Sequence, residues 1–293
     1  MTMPERAIVV GVDGSSSSVH AARWAAAEAV RRNLPLHIVA VFTWPVAGYP
    51  EALVASHQLH DALRTTAHDW VRQARDAVVG PAPELSDEVV PGYAPTVLSA
   101  RAERASMVVV GSRGLGGFSG LLLGSTAVAL AAHAACPVVV VRGDGEFDRG
   151  PVVVGVDGSA LSERAIEFAF EEAATRGAEL RAVLAWSDWP IEVMLDKGYG
   201  SLYLDTYVDE AQELLSERLA GWGEKYPDVV VTREVSRSSP AKLLLKQAQN
   251  AQLVVVGSPG RGGFTGLTMG STSQAMIHHA PCPVVVVRGH DTD

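Results

Sequence analysis

Glycines at Gly111 and Gly114 are followed, nine residues on, by Gly124-Ser125-Thr126; the same spacing returns at Gly257, Gly260 and Gly270-Ser271-Thr272. Each copy follows a run of apolar β-formers, Met107–Val110 and Leu253–Val256. A glycine just past a buried strand lets the backbone turn sharply and approach a ligand with no Cβ in the way. A Ser-Thr pair opening the next helix is expected to cap it, and it also offers hydroxyls and unpaired N–H groups to an anion. The pattern describes a phosphate cradle, present twice, with Ser112 and Ser258 inside it and Gly116, Gly117, Gly262 and Gly263 in register between its ends. Arg113 and Arg261 sit at different places in the two loops. Each is either a charge-assisted donor to phosphate or a solvated surface arginine. Pro259 stands where the first copy has Arg113 and lacks a backbone donor, so the second cradle is expected to hold phosphate differently.

A second constellation lies in Gly11-Val-Asp13 and its copy Gly155-Val-Asp157. Either aspartate can cap the helix that follows. At a crevice opposite a phosphate loop, it can also accept hydrogen bonds from an adenine amino group or a ribose hydroxyl. Asp188, past the second strand of the second copy, is placed to bind ribose hydroxyls, whereas the first copy has Thr43-Trp44 there. No Gly-x-Ser-x-Gly elbow, Walker-type Gly-Lys-Ser/Thr or His-x-x-x-His pair occurs, and no metal site is expected. His133 and His279 suit the carboxyl ends of helices, where they answer the dipole. The aromatics of Trp186–Trp189 and Tyr199–Tyr207 read as packing or a lid.

These groups need a scaffold that brings strand ends together. Ile8–Ser15 matches Val152–Ser159 at an offset of 144, and Met107–Gly143 matches Leu253–Gly289 at 146, with 25 of 37 positions identical. The polar stretch between the copies sets the expected division: domain 1 over 1–143, a linker over 144–150, domain 2 over 151–293. Each half alternates strands and helices. In the first, strands are expected at Ala7–Val12, Leu36–Phe42, Leu85–Val90, Met107–Val110 and Pro137–Val141. Helices are expected at Ser15–Arg32, within Glu51–Val79, at Pro95–Arg104 and at Thr126–Ala135. The second half repeats this with strands Val152–Val156, Leu180–Ala185, Val229–Val235, Leu253–Val256 and Pro283–Val287, and with helices Ser162–Arg176, Leu202–Trp222, Pro240–Asn250 and Ser273–His279. Apolar strands separated by helices predict an α/β fold of two tandem doubly wound domains. Each would be a five-stranded parallel sheet, Rossmann-like with flavodoxin-type order and helices on both faces. Ligands then bind at the carboxyl ends of the strands, where the winding reverses.

At 293 residues the chain has room for two such domains, and it holds no apolar run long enough to span a bilayer. The start of the chain runs straight into the first strand, so no signal peptide is read there and a cytoplasmic location is expected. A formal net charge of −9 without a basic stripe argues against nucleic acid as the main partner. Cys136 and Cys282 occupy equivalent places, which predicts two similar buried thiols rather than a bridge.

The motif Gly-x2-Gly-x9-Gly-Ser after a buried strand, with Val-Gly-Val-Asp-Gly-Ser at the start of each half, resembles the universal stress protein family in its tandem-domain, actinobacterial form. The resemblance covers essentially the whole chain. It implies ATP binding, often with magnesium, and a role in stress or growth regulation rather than efficient catalysis. It carries the adenine contacts onto Asp13 and the backbone of Val41, and onto Asp157 and Ala185. It carries the ribose and phosphate contacts onto Gly111, Gly114, Gly124 and Ser125, and onto Gly257, Gly260, Gly270 and Ser271. It also implies a homodimer paired through the fifth strands, with no nucleic-acid or membrane partner. The alternatives are a slow ATPase or phosphoryl or nucleotidyl transferase working through Asp13 or Asp157 and magnesium, and a dimerisation module whose loops bind nothing.

Overall fold

The computed structural model describes residues 3–43, 52–78, 84–114, 123–143, 147–186, 200–258 and 269–288. The chain divides into two compact units between Asp144 and Gly145.

In the first unit β1 (Ile8–Val12), β2 (Leu36–Phe42), β3 (Leu85–Pro91), β4 (Met107–Gly111) and β5 (Val138–Val141) form an all-parallel sheet in the order β3-β2-β1-β4-β5. The helices are α1 (Ser16–Arg32), α2 (Ala52–Ala77), α3 (Ala94–Ala102) and α4 (Ser125–His133). α1 packs with α2 on one face of the sheet and α3 with α4 on the other. With both faces covered, the valines of β1, β4 and β5 are buried throughout, which is why these strands read as unbroken apolar runs.

The strand order differs from the flavodoxin type. β3 pairs with the outer edge of β2, from Leu36↔Leu85 to Phe42↔Pro91, so the chain steps outward twice before β4 returns to the open side of β1. This is the Rossmann order without its sixth strand, and its reversal point opens a crevice between β1 and β4.

The second unit repeats the plan with β6 (Val152–Val156), β7 (Leu180–Trp186), β8 (Val231–Arg237), β9 (Leu253–Gly257) and β10 (Val284–Val287), in the order β8-β7-β6-β9-β10. Its helices are α5 (Ala160–Arg176), α6 (Gly200–Arg218), α7 (Trp222–Lys225), α8 (Pro240–Ala248) and α9 (Ser271–His279). The single helix expected over Leu202–Trp222 is broken: α6 stops at Arg218, and Gly221, with φ 80°, turns the chain into α7. That turn stacks Trp222 and Tyr226 on Phe170, with centroids 5.3 and 5.6 Å away. Stacking of this kind adds to the apolar burial that holds the segment on α5.

Helix ends follow local chemistry. Ser15 and Ser159 cap α1 and α5, accepting from the N–H groups of Ser18 and Ser162. Both helices end in a left-handed residue, Asn33 (φ 51°) and Gly177 (φ 59°), the two residue types that tolerate that conformation best. Glu28 and Glu172, at equivalent helical positions, are fully buried and paired with arginines one turn on. Cys136 and Cys282 are buried free thiols whose pKa is pushed up to about 12 by burial, so they remain un-ionised and unreactive. No helix among the described residues is long and apolar enough to cross a membrane.

A polar network joins β2, β3 and α3. Buried His37 places Nδ1 2.8 Å from Ser86 Oγ and Nε2 3.3 Å from Glu88 Oε1, while Arg101 forks onto Glu88 at 2.6 and 3.0 Å. The second unit moves the cation from helix to strand: Arg181 donates to Gln247 at 2.9 Å, and Gln247 in turn to Glu234. Burial lowers the His37 pKa, only partly offset by Glu88. Burial alone would raise Glu88, but the hydrogen bonds from Arg101 and His37 outweigh it and hold the carboxyl below its ordinary value.

A histidine with a depressed folded-state pKa takes up its proton first in the unfolded chain, so stability falls as pH drops below the ordinary histidine value of about 6.5. Glu88 adds a loss of the same sign at lower pH. Urea unfolding at pH 7.5 and 5.5 should show wild type losing stability on acidification and His37→Gln losing less. An equal loss in both proteins would remove His37 as the cause.

Candidate functional site

The carboxyl ends of β1, β2 and β4, with the amino ends of α3 and α4, enclose a cavity of about 340 Å³ in the first unit. Gly11, Asp13, Val41, Gly111, Arg113, Gly114, Gly124, Ser125 and Thr126, all expected from sequence, line it. Asp13 and Val41 stand on the β1–β2 side, the glycine motif and α4 on the other.

Asp13 serves the turn and the cavity together. Its Oδ1 accepts from the N–H of Ser15 at 3.1 Å and from Ser15 Oγ at 2.7 Å, while its own N–H donates to Ser18 Oγ at 3.3 Å. Ser15, not Asp13, is the helix cap. Oδ2 lies against the glycine motif, so close that a Cβ on Gly114 would come within 2.4 Å of it. Asp157 repeats the arrangement, accepting from the N–H of Ser159 at 2.9 Å and donating to Ser162 Oγ at 3.2 Å.

The glycines of the motif do different things. Gly111 lies on the α1 face, where a Cβ would sit 2.6 Å from Ser17 Oγ and 2.7 Å from the Ser17 carbonyl group. It permits close packing of strand end and helix. Gly11, on the opposite face, makes room for Leu98 at 2.8 Å, and Gly155 for Leu244 at 3.0 Å. Gly124 is unlike these. Its φ of −75° and ψ of 145° suit any residue, and among the described residues a Cβ would meet nothing nearer than 3.7 Å. The described residues do not require glycine there, and Gly124 lines the cavity.

The helix start also departs from expectation. Ser125-Thr126 and Ser271-Thr272 do not cap their helices: the cap positions are Gly124 and Gly270, and neither helix has a side-chain cap. A serine one position inside the helix has passed the cap geometry, so the first turn of α4 meets the cavity with no side-chain cap among the described residues. Ser112 is structural: its N–H donates to Val141 O at 3.1 Å, its carbonyl accepts from Gly124 N–H at 2.8 Å, and it is buried.

The loop backbone is clamped by α1. Ser15 Oγ shares its proton between Asp13 and the Arg113 carbonyl (3.2 Å), and the Arg113 N–H donates to Ser17 Oγ at 3.3 Å. That N–H is thus spent within the protein. Leu161 stands where Ser17 does, and Pro259 where Arg113 does, so the second unit lacks acceptor and donor together. Proline therefore removes no donor that the first unit offers a ligand.

In the second unit Gly155, Asp157, Ala185, Gly257, Ser258, Gly270, Ser271 and Thr272 hold the equivalent strand-end and helix-start positions. Loop closure is rebuilt there with side chains: Gly270 N–H donates to Ser258 Oγ at 3.1 Å, and Ser273 Oγ to Gly257 O at 2.9 Å. Gly116, Gly117, Asp188, Gly260, Arg261, Gly262 and Gly263 lie outside the described residues. Sequence reasoning missed Ser18, Val39, Ala94, Leu98, Leu123 and Ala127, which with Val12 and Val110 of the strands complete the lining. Val39 was available from strand alternation, two residues before Val41; the others depend on packing between distant segments.

A sequence model of the universal stress protein family matches residues 5–142 and again residues 149–288. The chain belongs to the universal stress protein family. It is 44% identical over 296 residues to a universal stress protein of Mycobacterium tuberculosis, covering 97% of each chain. It is 42% identical over 298 residues to one of Mycolicibacterium smegmatis, with the same coverage. Among solved structures it is similar to a universal stress protein from Archaeoglobus fulgidus, with TM-score 0.64 at 20% identity over 98% of this chain and 99% of that one. That likeness is one of fold, the tandem Rossmann-like arrangement of the family.

Proposed function

We propose that this universal stress protein binds ATP, with its magnesium, at one site per unit, and acts in stress or growth regulation with little turnover. The observation that carries the reading is Gly124: a position where the fold accepts a side chain but the sequence keeps a cavity-facing void, beside uncapped helix amides. Those amides and the Ser125 and Thr126 hydroxyls would hold phosphates. Asp13 and the Val41 backbone, on the far side of the cavity, would take hydrogen bonds from the adenine amino group or ribose. About 340 Å³ lies within the range of small-ligand pockets. Little turnover follows from the lining itself, in which Asp13 and Arg113 are the titratable side chains among the described residues and Asp13 is already bonded to Ser15.

Freshly purified protein should release an adenine nucleotide on denaturation, detected by mass spectrometry. Asp13→Ala should weaken ATP binding about tenfold, the scale of a hydrogen bond to a charged group. A wild-type protein that releases no nucleotide and shows no calorimetric ATP binding at millimolar concentration would end this reading.

A further inference from the structure

The carboxyl edge of β5 carries a cation that belongs to neither the glycine motif nor the aspartate turn. Val110 pairs with Val140, and Ser112 donates its N–H to Val141 O, so Arg142 lies alongside Ser112. Laterally paired residues share a face of a sheet, and faces alternate along a strand. Arg142 is therefore on the face of Val110, Gly11 and Asp13, the face under α3 and α4. α4 starts at this edge with its positive dipole end, and Arg113, two residues past β4, lines the cavity beside it. Arg142 is half-buried, and burial lowers its pKa, with the neighbouring charge of Arg113 lowering it further. A multiply charged anion held at this edge, between α4 and the end of β5, would meet the positive charge of both arginines.

We propose that Arg142 and Arg113 form a paired guanidinium clamp for the outer phosphates of a nucleotide, so that the first unit distinguishes nucleoside triphosphates from monophosphates. This rests on the nucleotide reading of the cavity and adds to it the number of phosphates read. A first phosphate seated at Gly124 is served by helix amides. A longer chain extends along the loop to where the arginines offer forked, charge-assisted donors. The second unit keeps Arg288 in the place of Arg142, with Ser258 donating to Val287 O at 3.0 Å, but has Pro259 in place of Arg113. Half the clamp is missing at that register, and the second unit discriminates less.

The test uses the full chain carrying Gly270→Val, which fills the second cradle and leaves a calorimetric stoichiometry of one nucleotide. In that background Arg142→Gln is expected to weaken ATP about tenfold and to change AMP by less than about twofold. Arg113→Gln, at an exposed position where folding is not at issue, is expected to show the same ATP-selective loss. Equal weakening of ATP and AMP, or unchanged ATP affinity in the two variants, overturns the clamp. A parent protein that binds neither nucleotide fails before any arginine is changed; that result removes the nucleotide reading itself and the clamp with it.

Discussion

Gly111→Ala should destabilise the first unit by about 2–3 kcal/mol, the usual cost of forcing an extra methyl into packed backbone. Gly124→Ala, in the same motif, should cost less than about 1 kcal/mol, the difference between glycine and alanine at a helix cap. The distinction is geometric. At Gly111 the new Cβ meets the Ser17 backbone at 2.7 Å, and neither α1 nor β4 can yield without disturbing the sheet. At Gly124 the nearest described atom to the new Cβ is 3.7 Å away. Gly257→Ala should fall between them, because its closest neighbour, the Leu161 carbonyl oxygen, is at 3.0 Å.

Binding should respond in the opposite order. Gly124→Ala fills the cradle and should weaken ATP about tenfold while the fold is untouched. Urea midpoints and calorimetric affinities, measured on the same preparations, separate the two roles. If Gly124→Ala bound ATP as tightly as wild type, the void beside α4 would have no ligand to accommodate.

Arg176→Met is the second large effect expected, about 3–5 kcal/mol, the range for breaking a buried ion pair from one side. Glu172 has no exposed surface and the Arg176 side chain is 2% exposed; Arg176 Nε donates to Glu172 at 2.6 Å and its Nη1 to Gln252 Oε1 at 3.3 Å. Removing the guanidinium leaves a carboxylate that water cannot reach. The equivalent Arg32→Met should cost only about 1–3 kcal/mol, because Arg31 still donates to Glu28 at 3.0 Å and its side chain is 28% exposed. Pairing Arg176→Met with Glu172→Gln should recover part of the loss, since the buried charge is then gone. Equal costs at Arg176 and Arg32 would show that burial does not govern these pairs.

The repeat, the valine strands and most helix starts were legible because each is a local property: a continuous apolar run buried on both faces, a serine before a helical period. The strand order was not legible in the same way. Periodicity identifies β3 and its crossover but does not say which edge of the sheet β3 joins, and here it joins β2. The caps of α4 and α9 were misplaced by one residue because serine outranks glycine in cap preference. The fold instead puts glycine at the cap and serine inside. Asp13, Gly111 and Gly124 were found from the sequence, but the opposite demands on Gly111 and Gly124 appear only once a Cβ is placed on each, 2.7 Å from the Ser17 backbone at one and 3.7 Å from the nearest described atom at the other. Ser17, Ser18, Leu98 and Arg142 carry no motif. Ser18 and Leu98 reach the cavity because segments far apart in the chain meet at one edge of the sheet.

The bonds from Ser15 and Ser17 to the Arg113 backbone bear on how much order a ligand must impose when it arrives. A loop residue held at both its N–H and its carbonyl has already given up its backbone freedom, worth about 1–2 kcal/mol per residue, so that loss is not charged again against affinity. In the second unit the hydroxyl of Ser17 is replaced by Leu161 and the residue it would hold is Pro259, whose ring restricts φ covalently. The two copies thus limit the entropy of the same loop position by different chemistry, one with a reversible hydrogen bond and the other with a permanent ring. Heating or denaturant can release the first and not the second.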